Sequence, residues 1–298
     1  MSLKEELKSK KPNLSDLSLT AYASTLRNLY KKVFDDQPIR LKNFDDTDKI
    51  LGYLKDIEPS KRKSILSALV SMTGNDEYRE MMRKDINTYN EFVKTQKKSD
   101  KQAENWVDKD EINKVYNEVL EKSKLLYKKN KHSMKELQDI QNHVILALTT
   151  GKYIPPRRLL DYTEFKINGD INKKVDNYYD KGTLVFNRFK GSTEKDQQRI
   201  NAPKGLQSIL SKWIKLNPTD HLLFDNQSGK LTNTQLTQRL NKIFRDTDAK
   251  NVSVNSLRHT YLTDKYANTI EQNKEIKKTM KEMGSSIDQL KNYVKDDE

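Results

Sequence analysis

Three arginines, a histidine, a lysine and a late tyrosine are the side chains of this sequence best suited to chemistry. The stretch "VNSLRHTYLTDKY" sets Arg258 beside His259 at what reads as a helix start, in a chain with only four histidines. "TTGKYIPPRRLLDYTEFKI" places Arg157 and Arg158 directly after two prolines. Proline suits the first turn of a helix, where its missing N–H costs nothing, so both arginines are expected at a helix N-terminus that already favours an anion. Arginine forks onto two phosphate oxygens in a way that lysine cannot. Taken alone, the segment fits a surface pair of charges ending a loop more simply. "NRFKGSTEKD" carries Lys190 at a strand end, entering a turn loosened by Gly191. A lysine on a hairpin tip can enter a DNA groove and deliver a proton. "KEMGSSIDQLKNYVK" carries Tyr293, 35 residues after Arg258. Its spacing from Ile287 and Leu290 also fits a packed core tyrosine, although chain ends are usually mobile.

Other chemistries find no foothold. There is no Gly-rich phosphate loop, no serine in a GxSxG elbow and no HExxH spacing among His132, His143, His221 and His259. Acidic pairs such as Asp35–Asp36 and Asp45–Asp46 sit in polar turns, where solvation explains them. The absence of cysteine removes disulfides, thiolate zinc sites and a cysteine nucleophile. The net charge of +13 favours polyanions, nucleic acid first and an anionic membrane surface second. A solvated, lysine-rich surface is the plainer explanation of the same number. The excess is spread along the chain, +4 over residues 1–100 and +9 over the rest. No apolar run is long enough to span a bilayer and the N-terminus lacks a signal-peptide pattern, so a soluble, intracellular protein that is not secreted is expected.

The elements that must position these groups follow from periodicity. Leu26, Leu29, Tyr30, Val33 and Phe34 fall at i, i+3, i+4, i+7 and i+8, one face of a helix that Ser15 or Ser18 would cap. Further helical patterns cover residues 46–56, 58–72 and 76–95, so the first hundred residues read as a helical bundle. Lys94 to Asn105 is polar and aperiodic and reads as a linker. Ile112, Val115, Tyr116, Val119 and Leu120 open a second helical region, followed by the more buried "LQDIQNHVILALTTG". "VDNYYD", "GTLVFNRF" and "QQRINAP" are short β-branched or aromatic runs broken by turn residues, which predicts a three-stranded antiparallel sheet. Helices resume with Leu206, Ile209, Leu210, Trp213 and Ile214, then near 231–246, 253–267, 271–283 and 286–294.

In order, "TG…RRLLDY", "FKGS…RINAP", "SLRHTY" and "MGSSIDQLKNY" resemble the tyrosine recombinase (phage integrase) family, and "LSLTAYASTLRNLY" looks like its core-binding domain. The resemblance implies a mainly α fold with a small three-stranded antiparallel sheet: a helical DNA-binding domain at 1–96, a linker at 97–104 and an α+β catalytic domain at 105–298. Arg158 matches the first family arginine, because Asp161 stands three residues later where the family has an acid; Arg157 fits that place less well. Lys190 matches the hairpin lysine, Arg258 the arginine of HxxR with His259 after it, and Tyr293 the nucleophile. Asn255 stands where HxxR has its histidine, and Ser285 where a histidine or tryptophan is usual. Asparagine can donate a hydrogen bond to phosphate but cannot shuttle a proton at neutral pH. Lys152, Arg157 and Arg188 are the expected additional DNA contacts.

The resemblance further implies site-specific cleavage and rejoining of DNA through a 3′-phosphotyrosyl intermediate, with no metal, ATP or other cofactor. Arg158 and Arg258 would hold the phosphate, His259 and Asn255 would orient it, and Lys190 would protonate the leaving oxygen. The partners would be double-stranded recombination sites bound by a homotetramer, monomeric when free, with no membrane association. The setting would be a virus or other mobile element acting on DNA in a host cytoplasm or nucleus, or carried in a virion. Two alternatives stay open: type IB topoisomerase-like strand cleavage on one duplex, and a catalytically weakened DNA-binding relative.

Overall fold

A computed structural model describes residues 2–35, 37–192, 196–289 and Val294. The chain divides into two compact units, Met1–Lys98 and Ser99–Glu298. The first is all helical: α1 (Leu3–Lys10), α2 (Asp16–Phe34), a 3-10 turn Leu41–Asp45, α3 (Thr47–Leu54), α4 (Pro59–Thr73) and α5 (Asp76–Lys94). Ser15 accepts from the Ser18 N–H to cap α2, and Pro59 opens α4 where no N–H is needed. Leu7, Leu26, Tyr30, Phe44, Leu54, Leu66 and Leu69 form the core. The Tyr30 hydroxyl anchors the loop that follows α2, donating to Pro38 O and accepting from Arg40 N and Asn43 Nδ2.

The second unit begins with α6 (Asp100–Glu104), α7 (Lys109–Leu126) and α8 (Met134–Thr149). The stretch expected to be a structureless linker therefore contains a short helix, because Ser99 and Gln102 form a reciprocal cap at its start. Then come α9 (Leu159–Thr163), β1 (Phe165–Lys166), β2 (Asn177–Asp180), β3 (Thr183–Phe186), β4 (Gln198–Asn201), α10 (Lys204–Leu216), α11 (Asn233–Ile243), α12 (Val254–Glu282) and a 3-10 turn Ile287–Gln289.

The sheet has the order β1-β2-β3-β4. Its last three strands are the antiparallel meander expected, with Tyr178 opposite Val185 and Leu184 opposite Ile200. Lys181 and Gly182 both take positive φ, at 46° and 89°, the backbone required by a two-residue hairpin turn. The fourth strand corrects the expectation: β1 pairs in parallel with β2, Phe165 opposite Asn177. Two residues cannot show an alternation, so the sequence carried no strand signal there. Two predicted helices, 253–267 and 271–283, are the single helix α12, which holds neither glycine nor proline to break it. Of the helix expected at 286–294, the described residues show only the 3-10 turn.

Leu146, Tyr162, Phe165, Phe186, Leu210, Trp213, Phe224 and Leu257 belong to one core, in which Trp213 stacks on Phe224 with ring centres 5.6 Å apart and donates Nε1–H to Leu222 O at 2.8 Å. Helix α8, sheet, α10 and the start of α12 thus share one interior, and the loops at its edge carry the candidate site. Among the described residues no helix is long and apolar enough to cross a membrane.

Candidate active site

Helix α12 starts with a reciprocal cap: the Ser256 N–H donates to Ser253 Oγ at 3.2 Å and the Ser253 N–H to Ser256 Oγ at 2.8 Å. Leu257 is fully buried, and the Thr260 hydroxyl donates to Val107 O at 2.6 Å. These contacts fix the rotation of the helix and leave Asn255, Arg258 and His259 on its outer side. Asn255 Nδ2 lies 3.3 Å from His259 Nε2, one helical turn away. An amide N–H only donates, so this ring nitrogen is the acceptor in that arrangement.

Arg258 reaches across to the arginine loop and donates Nε–H to Pro156 O at 3.1 Å, 102 residues away in sequence. Among the described residues no further partner occupies its guanidinium. The loop it touches is itself tied down. Arg157 N donates to the Tyr162 hydroxyl at 2.7 Å, and that hydroxyl donates to Leu148 O at 2.8 Å at the end of α8. At the loop's start, Gly151 has φ 82°, and a methyl group built on it would lie 2.2 Å from Tyr261 Cδ2 of α12. Only glycine permits both that backbone and that ring.

The two adjacent arginines have different fates. Arg157 donates Nε–H to Asp161 Oδ2 and an Nη1 hydrogen to Gln198 Oε1 on β4, both at 2.7 Å, and its guanidinium lies 4.0 Å from the centre of the Phe186 ring. These contacts hold its guanidinium against the protein. Arg158 is exposed and no partner holds it among the described residues. Arg158 stands at a helix N-terminus as expected, with Arg157 just before it, but the prolines do not form the first helical turn. Arg158 is the extended N-cap of α9, which begins at Leu159, and Pro155 and Pro156 precede it in the loop.

Asp161 is buried among these cations, with Oδ1 lacking any hydrogen bond. Burial holds its carboxyl above the usual aspartate range, against the pull of Arg157 first and of Arg158 and Arg258 after it. Three guanidiniums around one carboxylate leave a surplus of positive charge where the loop and α12 meet. Beneath the loop, the Tyr116 hydroxyl bridges His143 Nε2 (3.0 Å) and the Tyr153 hydroxyl (3.1 Å). Burial, reinforced by the charges of Lys124 and Lys212, pushes His143 down to about 4.

Lys190 is exposed in a turn closed by the Ser192 N–H on Phe189 O at 3.0 Å, with Gly191 at φ 86°. It lies beyond the end of β3 at Phe186 and not at the strand terminus, because Asn187 and Arg188 leave the ladder to bond Asn177. The fully buried Asn177 Oδ1 accepts from the N–H groups of Asn187 (2.8 Å) and Arg188 (2.7 Å). Its Nδ2 donates to Arg188 O and to Asp161 O. Asn177 therefore joins the base of the lysine turn to the arginine-bearing α9. Sequence reading missed it, although an asparagine opening an aromatic strand run was a visible signal. Lys152 is exposed with Nζ 4.7 Å from the Tyr116 ring centre, and Arg188 is exposed with Nη1 3.9 Å from Glu164 Oε2. Tyr293, the expected nucleophile, lies outside the described residues.

No family model matches the chain, and no curated protein does. Two solved structures are similar over most of its length. One is the crystal structure of XerA recombinase, 11% identical over 90% of this chain and 85% of that one, with a TM-score of 0.36. The other is XerH site-specific recombinase bound to its difH substrate in a pre-cleavage complex, 14% identical over 89% and 85%, with a TM-score of 0.40.

Proposed function

We propose that this protein cleaves and rejoins DNA strands through a covalent phosphotyrosine, as a site-specific recombinase. The observation that carries the reading is the Arg258–Pro156 hydrogen bond. It brings a guanidinium from α12 to the loop that presents Arg158, so two cations distant in sequence converge where one phosphate could be gripped. The motif order described above supplies the remaining roles.

In this reading Arg158 and Arg258 hold the two non-bridging oxygens of a phosphodiester and stabilise the charge that builds on them in the transition state. The Tyr293 hydroxyl loses its proton to water as its oxygen attacks phosphorus, the bond to the 5′ oxygen breaks, and Lys190 gives that oxygen a proton. The phosphoryl group ends on tyrosine, so its bond energy is conserved for attack by a second 5′ hydroxyl. Asn255 and His259, already hydrogen-bonded to each other, contact the same phosphate. Asp161 and Asn177 act as positioning residues beneath it. Four protomers on two duplexes would exchange strands in this way.

A nicked duplex that traps the covalent intermediate tests the reading. Wild-type protein should form a denaturation-resistant adduct that Tyr293→Phe abolishes and that Arg258→Ala reduces by about 100-fold or more, the scale of one lost oxyanion donor. An adduct that survives Tyr293→Phe, or none from the wild type, refutes it. Relaxation of a supercoiled plasmid without any two-site product would point to type IB topoisomerase-like cleavage and rejoining on a single duplex instead.

A further inference from the structure

We propose that Lys265 is a second phosphate-binding cation, holding the DNA backbone beside the phosphate gripped by Arg158 and Arg258. The inference rests on the strand-cleavage reading above. Asn255, Arg258, His259, Leu262, Lys265 and Tyr266 recur at i, i+3, i+4, i+7, i+10 and i+11, so they share one face of α12. Among the described residues nothing covers that face beyond the arginine: Leu262 and Tyr266 are exposed, at 48% and 42%. Lys265 follows Arg258 by two turns, about 10 Å along the axis.

What sets Lys265 apart from the many other lysines is how it is held. Its Nζ donates to the Tyr261 hydroxyl at 3.4 Å and stands 5.7 Å and 5.3 Å from the ring centres of Tyr261 and Tyr266. Tyr261 is in turn packed on Gly151, the first residue of the arginine loop's turn. The ammonium is therefore linked to the arginine loop through Tyr261 and Gly151. No carboxylate neutralises it among the described residues, because the adjacent Asp264 is taken by Lys109 at 2.6 Å. The tyrosine hydroxyls, Tyr261 first, raise its pKa above the usual lysine value. A cation oriented by neutral groups and lacking a counter-ion is suited to a polyanion's backbone and gives register without reading sequence.

The test measures duplex binding by the full-length protein between about 50 and about 200 mM salt, with a duplex of roughly 30 base pairs. Lys265→Ala should lower the slope of log affinity against log salt by about one and weaken binding several-fold at the lower salt, while Lys265→Arg keeps the slope. Lys274, exposed on the opposite face of the same helix, is the control, and Lys274→Ala should leave the slope unchanged. A wild-type slope in Lys265→Ala, or an equal loss in Lys274→Ala, overturns the inference. If the Arg158→Ala/Arg258→Ala double variant also loses about two from the slope, only the Lys265 assignment has failed. If the double variant keeps the wild-type slope, the strand-cleavage reading has failed. A wild type that does not bind duplex overturns both.

Discussion

Replacing Asp161 with alanine tests how the arginine loop is held. Asp161 is 3% exposed and Arg157 15% exposed by side chain, so the ion pair between them is largely desolvated. Such a pair gains little over an apolar pair, but removing one partner strands the other charge, at about 3 to 5 kcal/mol. Here the lower end applies. Arg157 would keep its hydrogen bond to Gln198 and its seat on Phe186. The loss should also include the order of α9, because Asp161 Oδ2 is the side-chain atom that ties Arg157 to it.

A loss of about 3 kcal/mol in a unit of this size lowers the melting temperature by about 6 to 12 °C. Tryptophan fluorescence is the right probe, because both tryptophans, Trp106 and Trp213, lie in the Ser99–Glu298 unit. The helical N-terminal unit is silent at that wavelength. The double variant Arg157→Met/Asp161→Leu should recover most of the loss or exceed the wild type, since apolar groups of similar volume fill the site without a desolvation cost. A drop below about 2 °C for Asp161→Ala, or a double variant less stable than Asp161→Ala, refutes the reasoning.

Two further outcomes are expected. Gly151→Ala should cost about 3 kcal/mol, from the positive φ and from the collision with the Tyr261 ring, whereas Gly74→Ala, with positive φ but open space around it, should cost only about 1 to 2 kcal/mol; equal costs in chemical denaturation would show that the ring contact is unimportant. His143 is held at about 4 when folded and returns to about 6.5 when unfolded, so the unfolded chain binds the extra proton between those values. Its stabilising share is complete above pH 6.5 and fades as pH falls towards 4, by about 3 kcal/mol in all; His143→Gln should flatten that stretch of the stability–pH curve, and an unchanged curve would rule the histidine out.

Much of this architecture was legible along the chain because it is locally encoded. The helix faces of α2, α7 and α10 follow from i, i+3, i+4 spacing, and the hairpin from Lys181–Gly182. What periodicity could not supply was continuity and edge pairing. The gap left between the helices expected at 253–267 and 271–283 is the middle of α12, and β1 is a two-residue strand paired with the edge of β2. The types of side chain able to grip a phosphate were equally visible, since charge and fork geometry belong to the residue itself.

Which of those side chains remains available was decided by the tertiary structure. Arg157 and Arg158 are adjacent and chemically identical, yet one is consumed by Asp161, Gln198 and Phe186 while the other stays exposed. Arg258 becomes part of their site through a carbonyl 102 residues away. The physical reason is that desolvation and hydrogen-bond occupancy are properties of surroundings. The sequence determined which residues could carry the charge, and only the packing of α8, α9, β4 and α12 determined which charges are left unneutralised.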